Sequence, residues 1–165
     1  FIGTKPTGQH SGDFSLSDGS VMVKDNNLTG GKFTINVSSL KITDKDTAYT
    51  SKLAGHLLSP DFFDAAKYGT ASFEITNVEA YDSTKAKSLL AGATHIISGN
   101  LKLKDSTKNI SFPAVVTVTD AGVTTVADFN IDRSNWGLSY GNDKSLGDKF
   151  IRPEVNIKLN IAAKK

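Results

Sequence analysis

The sequence predicts an all-β chain, closed into an antiparallel barrel of about eight strands, and three observations carry that expectation. Apolar and polar residues alternate with period two along most of the chain. Short turn signals separate the alternating runs, and a single stretch between residues 46 and 67 abandons the alternation for a helical spacing.

Phe33, Ile35 and Val37 alternate with Lys32, Thr34, Asn36 and Ser38, which is a strand with one apolar and one wet face. Phe73 and Ile75 alternate with Ser72, Glu74 and Thr76; Ile97, Gly99, Leu101 and Leu103 alternate with Ser98, Asn100, Lys102 and Lys104. Ala127, Phe129 and Ile131 form the next run, and Val155, Ile157, Leu159 and Ile161 the last. Asp18-Gly19, between Phe14/Leu16 and Val21/Val23, reads as a tight hairpin. Gly30-Gly31 and Ala121-Gly122 read as further turns. One long sheet with one apolar face hides that face by curling or closing, and closure also removes exposed edges.

The exception is a short helical segment near residues 48–67, where Tyr49, Leu53, His56-Leu57, Phe62-Phe63 and Ala65-Ala66 replace the alternation. Ser59-Pro60-Asp61 has the residues of a helix start: a capping hydroxyl, a proline at the first position and an acid in the first turn. The stretch Asp82 to Ala91 fits either a helix or a long hairpin loop.

The 165 residues make one domain, expected to span 1–165, and the pattern contains neither a repeat nor a low-complexity linker. Nineteen Lys and Arg against 17 Asp and Glu leave a net charge of +2, with the charges scattered. A nucleic-acid binder concentrates its cations in a patch or stripe, and the terminal Lys164-Lys165 is too short to be one. The absence of cysteine removes disulfides, thiolate metal sites and cysteine nucleophiles. No apolar run approaches the ~20 residues of a membrane-spanning helix. The chain opens on Phe1 without an initiator Met, which is the expectation for a trimmed precursor whose signal or lipid anchor lies upstream.

A barrel of this size is either filled by its own side chains or holds one small ligand, and alternation does not choose between the two. The inward set is apolar, with Gly99 and Ala127 as small members that leave room. Such a lining suits an alkyl or prenyl chain, since each buried methylene contributes about 0.8 kcal/mol.

Candidate reactive groups each have a structural alternative. His10, between Gly8 and Gly12, and His56, between Gly55 and Leu57, read as hydrogen-bonders at a barrel rim or as contacts to a polar head group. His95 opens a strand and is expected to be solvated. No His-x-His or His-Glu-x-x-His spacing is present, so no metal site is expected. Gly137-Leu138-Ser139-Tyr140-Gly141 has the letters of a nucleophile elbow, but that device needs a strand, a turn and a following helix in a parallel sheet. The acid pairs Asp44/Asp46 and Asp61/Asp64 read as helix caps rather than as an acid–base dyad or a calcium site. Arg133, beside Asp132 and Trp136, reads as a clamp, with phosphate binding as the alternative. Adjacent Phe62 and Phe63 point in different directions on a short helix, so one can plug the barrel as a lid while the other packs on a strand.

The punctuation is specific as well. Phe1-Ile2-Gly3-Thr4-Lys5 followed by Gly8-Gln9-His10-Ser11-Gly12 resembles the opening block of the YceI-like family. Gly30-Gly31-Lys32-Phe33, Ser38-Ser39-Leu40, Gly55-His56-Leu57, Asp61-Phe62-Phe63-Asp64, Ala71-Ser72-Phe73 and Gly99-Asn100-Leu101 follow in the family's order. Asp132-Arg133-Ser134-Asn135-Trp136-Gly137 resembles its Asp-Arg-(Ser/Thr)-x-aromatic-Gly turn, and Leu146-Gly147-Asp148 comes after it. Phe1 stands where Trp is usual, Asn36 where Asp is common and Gly69 where Pro is frequent.

The resemblance implies an eight-stranded lipocalin-like barrel in the bacterial periplasm that binds a polyisoprenoid, an isoprenoid quinone or a fatty-acyl molecule for carriage, storage or sequestration. The lining is then expected at Phe33, Ile35, Val37, Phe73, Ile75, Ile97, Leu101, Leu103, Phe112, Phe129 and Ile131. Leu53, His56, Phe62, Phe63 and Trp136 are expected near the mouth. No cofactor beyond the lipid and no catalytic residue is expected. The expected partner is an apolar lipid, with no nucleic acid; membrane association through an upstream anchor and a homodimer are both compatible with the sequence. The alternatives are a hydrolase or isomerase using His10, His56 or Ser139, and an interaction scaffold whose ligand is incidental.

Overall fold

The computed structural model describes residues 1–45 and 47–164, so Asp46 of the acid pair and Lys165 of the terminal pair lie outside the described residues. Eight strands run in chain order around a closed antiparallel barrel: β1 (Ile2–Lys5), β2 (Gly8–Lys24), β3 (Asn27–Ile42), β4 (Thr70–Ala80), β5 (His95–Leu103), β6 (Ser106–Thr119), β7 (Gly122–Asp132) and β8 (Glu154–Lys164). Each strand pairs with its neighbour in sequence, and short β1 closes the ring by pairing with β2 on one side and with β8 on the other. Among the described residues, no helix is long and apolar enough to cross a membrane.

Period-two alternation places the strands as expected, but two of the turns differ. Asp18-Gly19 lies inside β2 and Gly30-Gly31 inside β3. The β2–β3 hairpin turns instead at Asp25-Asn26, whose φ angles of 51° and 59° are the left-handed pair that a two-residue hairpin loop requires. Gly19 serves a close approach rather than a turn: the ring of Phe33 lies 2.8 Å from where its Cβ would stand. Ala121-Gly122 does close the β6–β7 hairpin, with Thr119 and Gly122 as the last ladder pair.

The helical segment is shorter than its pattern suggests. A 3₁₀ turn at Thr47–Tyr49 leads into α1 (Thr50–Leu58), and residues 59–69 form turns. Ser59 therefore ends a helix rather than starting one: both its backbone N–H and its hydroxyl donate to the His56 carbonyl. The N-cap of α1 is Tyr49, without a side-chain cap bond, and no acid lies in the first turn of α1. Asp44 accepts from Ser11 and bonds His10; Asp61 bonds His56. Residues 82–94 are a loop, with Asp82 accepting the Thr84 N–H.

The barrel has two unlike ends. One carries the β2–β3 and β6–β7 hairpins, and near it Leu28, Ile97, Phe112, Ala114, Val116, Val123 and Ala127 form a buried core. The other is covered by α1 and by residues 133–152, which include 3₁₀ turns at Arg133–Trp136 and Lys144–Lys149.

Candidate ligand-binding lumen and its roof

Ladder register puts Phe33, Phe73 and Leu101 side by side on three strands, and Ile35 beside Ala71. Phe112 faces Ile97 across β5–β6, and Phe129 faces Ile157 across β7–β8. Leu101 and Leu103 share a strand face with core residue Ile97; Phe129 and Ile131 share one with core residue Ala127. These inward chains divide by exposure. Ile97 and Phe112 are buried, whereas Phe33, Ile35, Phe73, Ile75, Leu101, Leu103, Phe129 and Ile131 are only partly buried, although they point away from the outer surface. Leu16, which pairs with Ile35, is 41% exposed. Inward apolar chains that solvent reaches set the roofed half of the barrel apart from the packed end and make it the candidate lumen.

The floor is aromatic. Phe112 stacks on Phe129 with ring centroids 4.1 Å apart and meets Phe73 at 5.7 Å. The room expected beside Gly99 is taken by this group: the Phe73 ring lies 2.3 Å from where a Gly99 Cβ would stand. Ala127, at 1% exposure, is likewise packed over by its neighbours. The small inward residues thus admit aromatic rings rather than a ligand.

The roof is braced by Arg133. Arg133 is 5% exposed, and among the described residues no carboxylate pairs with it. The guanidinium donates to the carbonyls of Arg152, Leu138, Tyr140 and Ile151, tying together three parts of one irregular segment. Burial lowers its pKa, partly offset by the nearby charge of Asp132. With its donors spent on carbonyls, Arg133 is the expected clamp and not a phosphate site. Trp136 is 1% exposed, and its indole N–H donates to the Leu101 carbonyl at 2.9 Å. This places it in the packing between roof and wall rather than at an open mouth. Val37 is buried as well.

Phe62 and Phe63 diverge as expected. Phe62 is buried beneath Arg133 and in an aromatic group with His56 and Tyr140, at 5.1 and 5.2 Å. Phe63 is partly buried and meets Phe14 of β2 edge-on at 5.3 Å. Leu53 is partly buried on α1. Phe14, Leu16, Ile157 and Leu159 stand on apolar strand faces that the sequence reading identifies but does not include in the expected lining.

The two rim histidines are each engaged. His10 Nδ1 lies 2.7 Å from Asp44, and His56 Nε2 lies 3.0 Å from Asp61. Burial opposes ionisation of Asp44, but the Ser11 N–H, His10 and the Ser11 hydroxyl together outweigh it and hold the carboxyl below its usual value. Ser139 lies in an irregular stretch that follows a 3₁₀ segment, so the strand-turn-helix of a nucleophile elbow is not formed there.

Comparison with known proteins agrees with this architecture. Similar solved structures include Burkholderia cenocepacia BcnA, at 21% identity and TM-score 0.66, covering 92% of this chain and 84% of that one. A Campylobacter jejuni YCEI protein has 18% identity and TM-score 0.66, covering 93% and 84%. A polyisoprenoid binding domain from Saccharophagus degradans, implicated in plant cell wall breakdown, has 16% identity and TM-score 0.68, covering 99% and 90%. No curated protein sequence matches the chain. The family model of the YceI-like domain matches residues 2–163, and with this match over nearly its whole length the chain belongs to the YceI-like family.

Proposed function

We propose that this protein binds one long apolar lipid in its lumen, a polyisoprenoid, an isoprenoid quinone or a fatty-acyl molecule, and carries, stores or sequesters it in the bacterial periplasm without transforming it. The observation that carries the reading is the set of inward apolar chains that solvent reaches above the Phe73–Phe112–Phe129 floor. A similar fold described as a polyisoprenoid binding domain lends support. Binding rather than catalysis is favoured because the candidate groups are occupied separately: His10 by Asp44, His56 by Asp61 and Arg133 by backbone carbonyls. A joint site needs polar groups converging on one point.

Displacement of a fluorescent fatty-acid or prenyl probe tests the reading. Ile35→Trp and Leu101→Trp fill the lumen and are expected to weaken binding at least about ten-fold. Asn100→Trp, on the outer face of the same strand as Leu101, should leave it unchanged. Equal affinity in all three variants would place the probe elsewhere.

A further inference from the structure

His10 stands at the rim of the barrel's inner face. Register makes one rung of His10, Gly3, Val155 and Ile131 across β2, β1, β8 and β7, and ladder partners share a face. Ile131 is on the face of core residue Ala127, so the His10 side chain starts from the wall of the candidate lumen and not from the outer surface. No residue of this rung is buried, and beyond its chain neighbours no heavy atom lies within 4 Å of where a Gly3 Cβ would stand. The apolar lining continues from the rung along β2. The Phe1 ring covers Gly12, Phe14 meets Phe1 at 5.6 Å, and Leu16 pairs with Ile35. A chain held in the lumen reaches His10 along these residues without crossing the buried core, and finds room at Gly3 for a small head.

Asp44 fixes what His10 can offer. Its Oδ1 accepts from the Ser11 N–H at 2.8 Å and from the Ser11 hydroxyl at 3.2 Å, and its Oδ2 lies 2.7 Å from His10 Nδ1. An ionised carboxylate only accepts, so Nδ1 carries the hydrogen and, in the neutral ring, Nε2 keeps a lone pair. Among the described residues Nε2 has no hydrogen-bond partner, and 42% of the side chain is exposed. His56 differs, since it sits on α1 with its ring edge-on to Phe62 and Tyr140.

We infer that His10 Nε2 accepts a hydrogen bond from the head of the bound lipid, and that this head is an uncharged hydroxyl, as in a prenyl alcohol or a reduced prenyl quinol. This rests on the lumen holding the chain. An ether, an oxidised quinone or a carboxylate brings lone pairs to a lone pair, and a carboxylate also meets the charge of Asp44.

The test uses two pairs matched in chain: farnesol with farnesyl methyl ether, and a farnesylated hydroquinone with its benzoquinone. Affinities are measured on the whole protein at about pH 8, which favours the neutral ring. The hydroquinone is kept reduced with dithionite, which a chain without cysteine tolerates. The hydroxyl member of at least one pair is expected to bind about five-fold or more tightly than its partner; the pair that shows it tells alcohol from quinol. In His10→Phe that preference should vanish while the affinity for the ether or benzoquinone holds. In Asp44→Asn the amide oxygen keeps the Ser11 N–H and the amide NH₂ faces Nδ1, so the ring proton moves to Nε2 and the preference should reverse. A histidine that only braced the rim would lower both members of a pair alike. Nitrogen NMR of the His10 ring gives a second reading: a proton on Nδ1 and none on Nε2 in the unaltered protein, and the opposite in Asp44→Asn. Hydroxyl compounds that bind no more tightly than their partners, a preference that survives His10→Phe, or a proton on Nε2 in the unaltered protein overturns the assignment while leaving a lumen that binds chains. If none of the four compounds binds, the lumen reading falls, and this one with it.

Discussion

Arg133 is the residue on which the roof depends, since a buried cation without a carboxylate is tolerated only where its donors are met. Its partners are all backbone carbonyls of residues 138–152, a stretch without regular ladder bonds of its own. Arg133→Ala removes the shared donor from four carbonyls, one buried and three part-buried, and empties the space of a buried side chain, and we expect a loss of more than about 3 kcal/mol. In thermal unfolding this is a fall of roughly 6–12 °C. Arg133→Lys keeps the charge but not the planar fork, so it should recover only part of the loss; full recovery would mean that charge, not geometry, matters. Asp44 gives a pH effect whose sign follows from its lowered pKa. Its stabilising contribution is present above its unfolded-state value, near pH 4, and disappears as pH falls through the lower folded value. Asp44→Asn should therefore be less stable at neutral pH and flatten the acid limb. Denaturant midpoints measured between about pH 2 and pH 6 check this, and parallel acid limbs would contradict it.

At the level of the elements, strand positions were legible because alternation is dictated by one wet and one dry face, and that pattern needs no knowledge of partners. Turns were less so. Asp18-Gly19 has stronger hairpin letters than Asp25-Asn26, yet the chain turns at the latter, because Gly19 is held against the Phe33 ring within the sheet. That contact joins residues on two strands and has no local signature. The Ser59-Pro60-Asp61 signal failed for a similar reason, with Ser59 drawn back to the His56 carbonyl and Asp61 to the His56 ring. Gly99 makes the same point for packing. A methyl there collides with Phe73 and with the Glu74 carbonyl. Gly99→Ala should cost about 1–3 kcal/mol. Pairing it with Phe73→Leu should restore part of that loss, as a double-mutant cycle would show; additive losses would mean that the ring does not need the glycine.

For the whole molecule, barrel closure and strand number followed from pattern and from the family blocks, whereas the division of the interior into a packed end and a half whose apolar chains solvent reaches did not. Inward positions such as Phe112 and Leu101 look alike in sequence, and only register and exposure separate them. The end of the β3–β4 ladder at Lys32 and Glu74 was equally hidden, since a strand's alternation continues whether or not its edge is paired. A lumen that binds a lipid only in the folded state links ligand to stability. At a free concentration about 100 times Kd, a bound lipid adds about 2.7 kcal/mol, which corresponds to a Tm rise of roughly 5–11 °C. The most direct test is native mass spectrometry of the intact protein, followed by delipidation and re-addition of a prenyl or acyl lipid. The account predicts one bound apolar molecule per chain, its loss on delipidation, and recovery of both the added mass and the Tm on re-addition. A protein that carries no such molecule, and takes up neither a prenyl nor an acyl chain with any change in Tm, would contradict it.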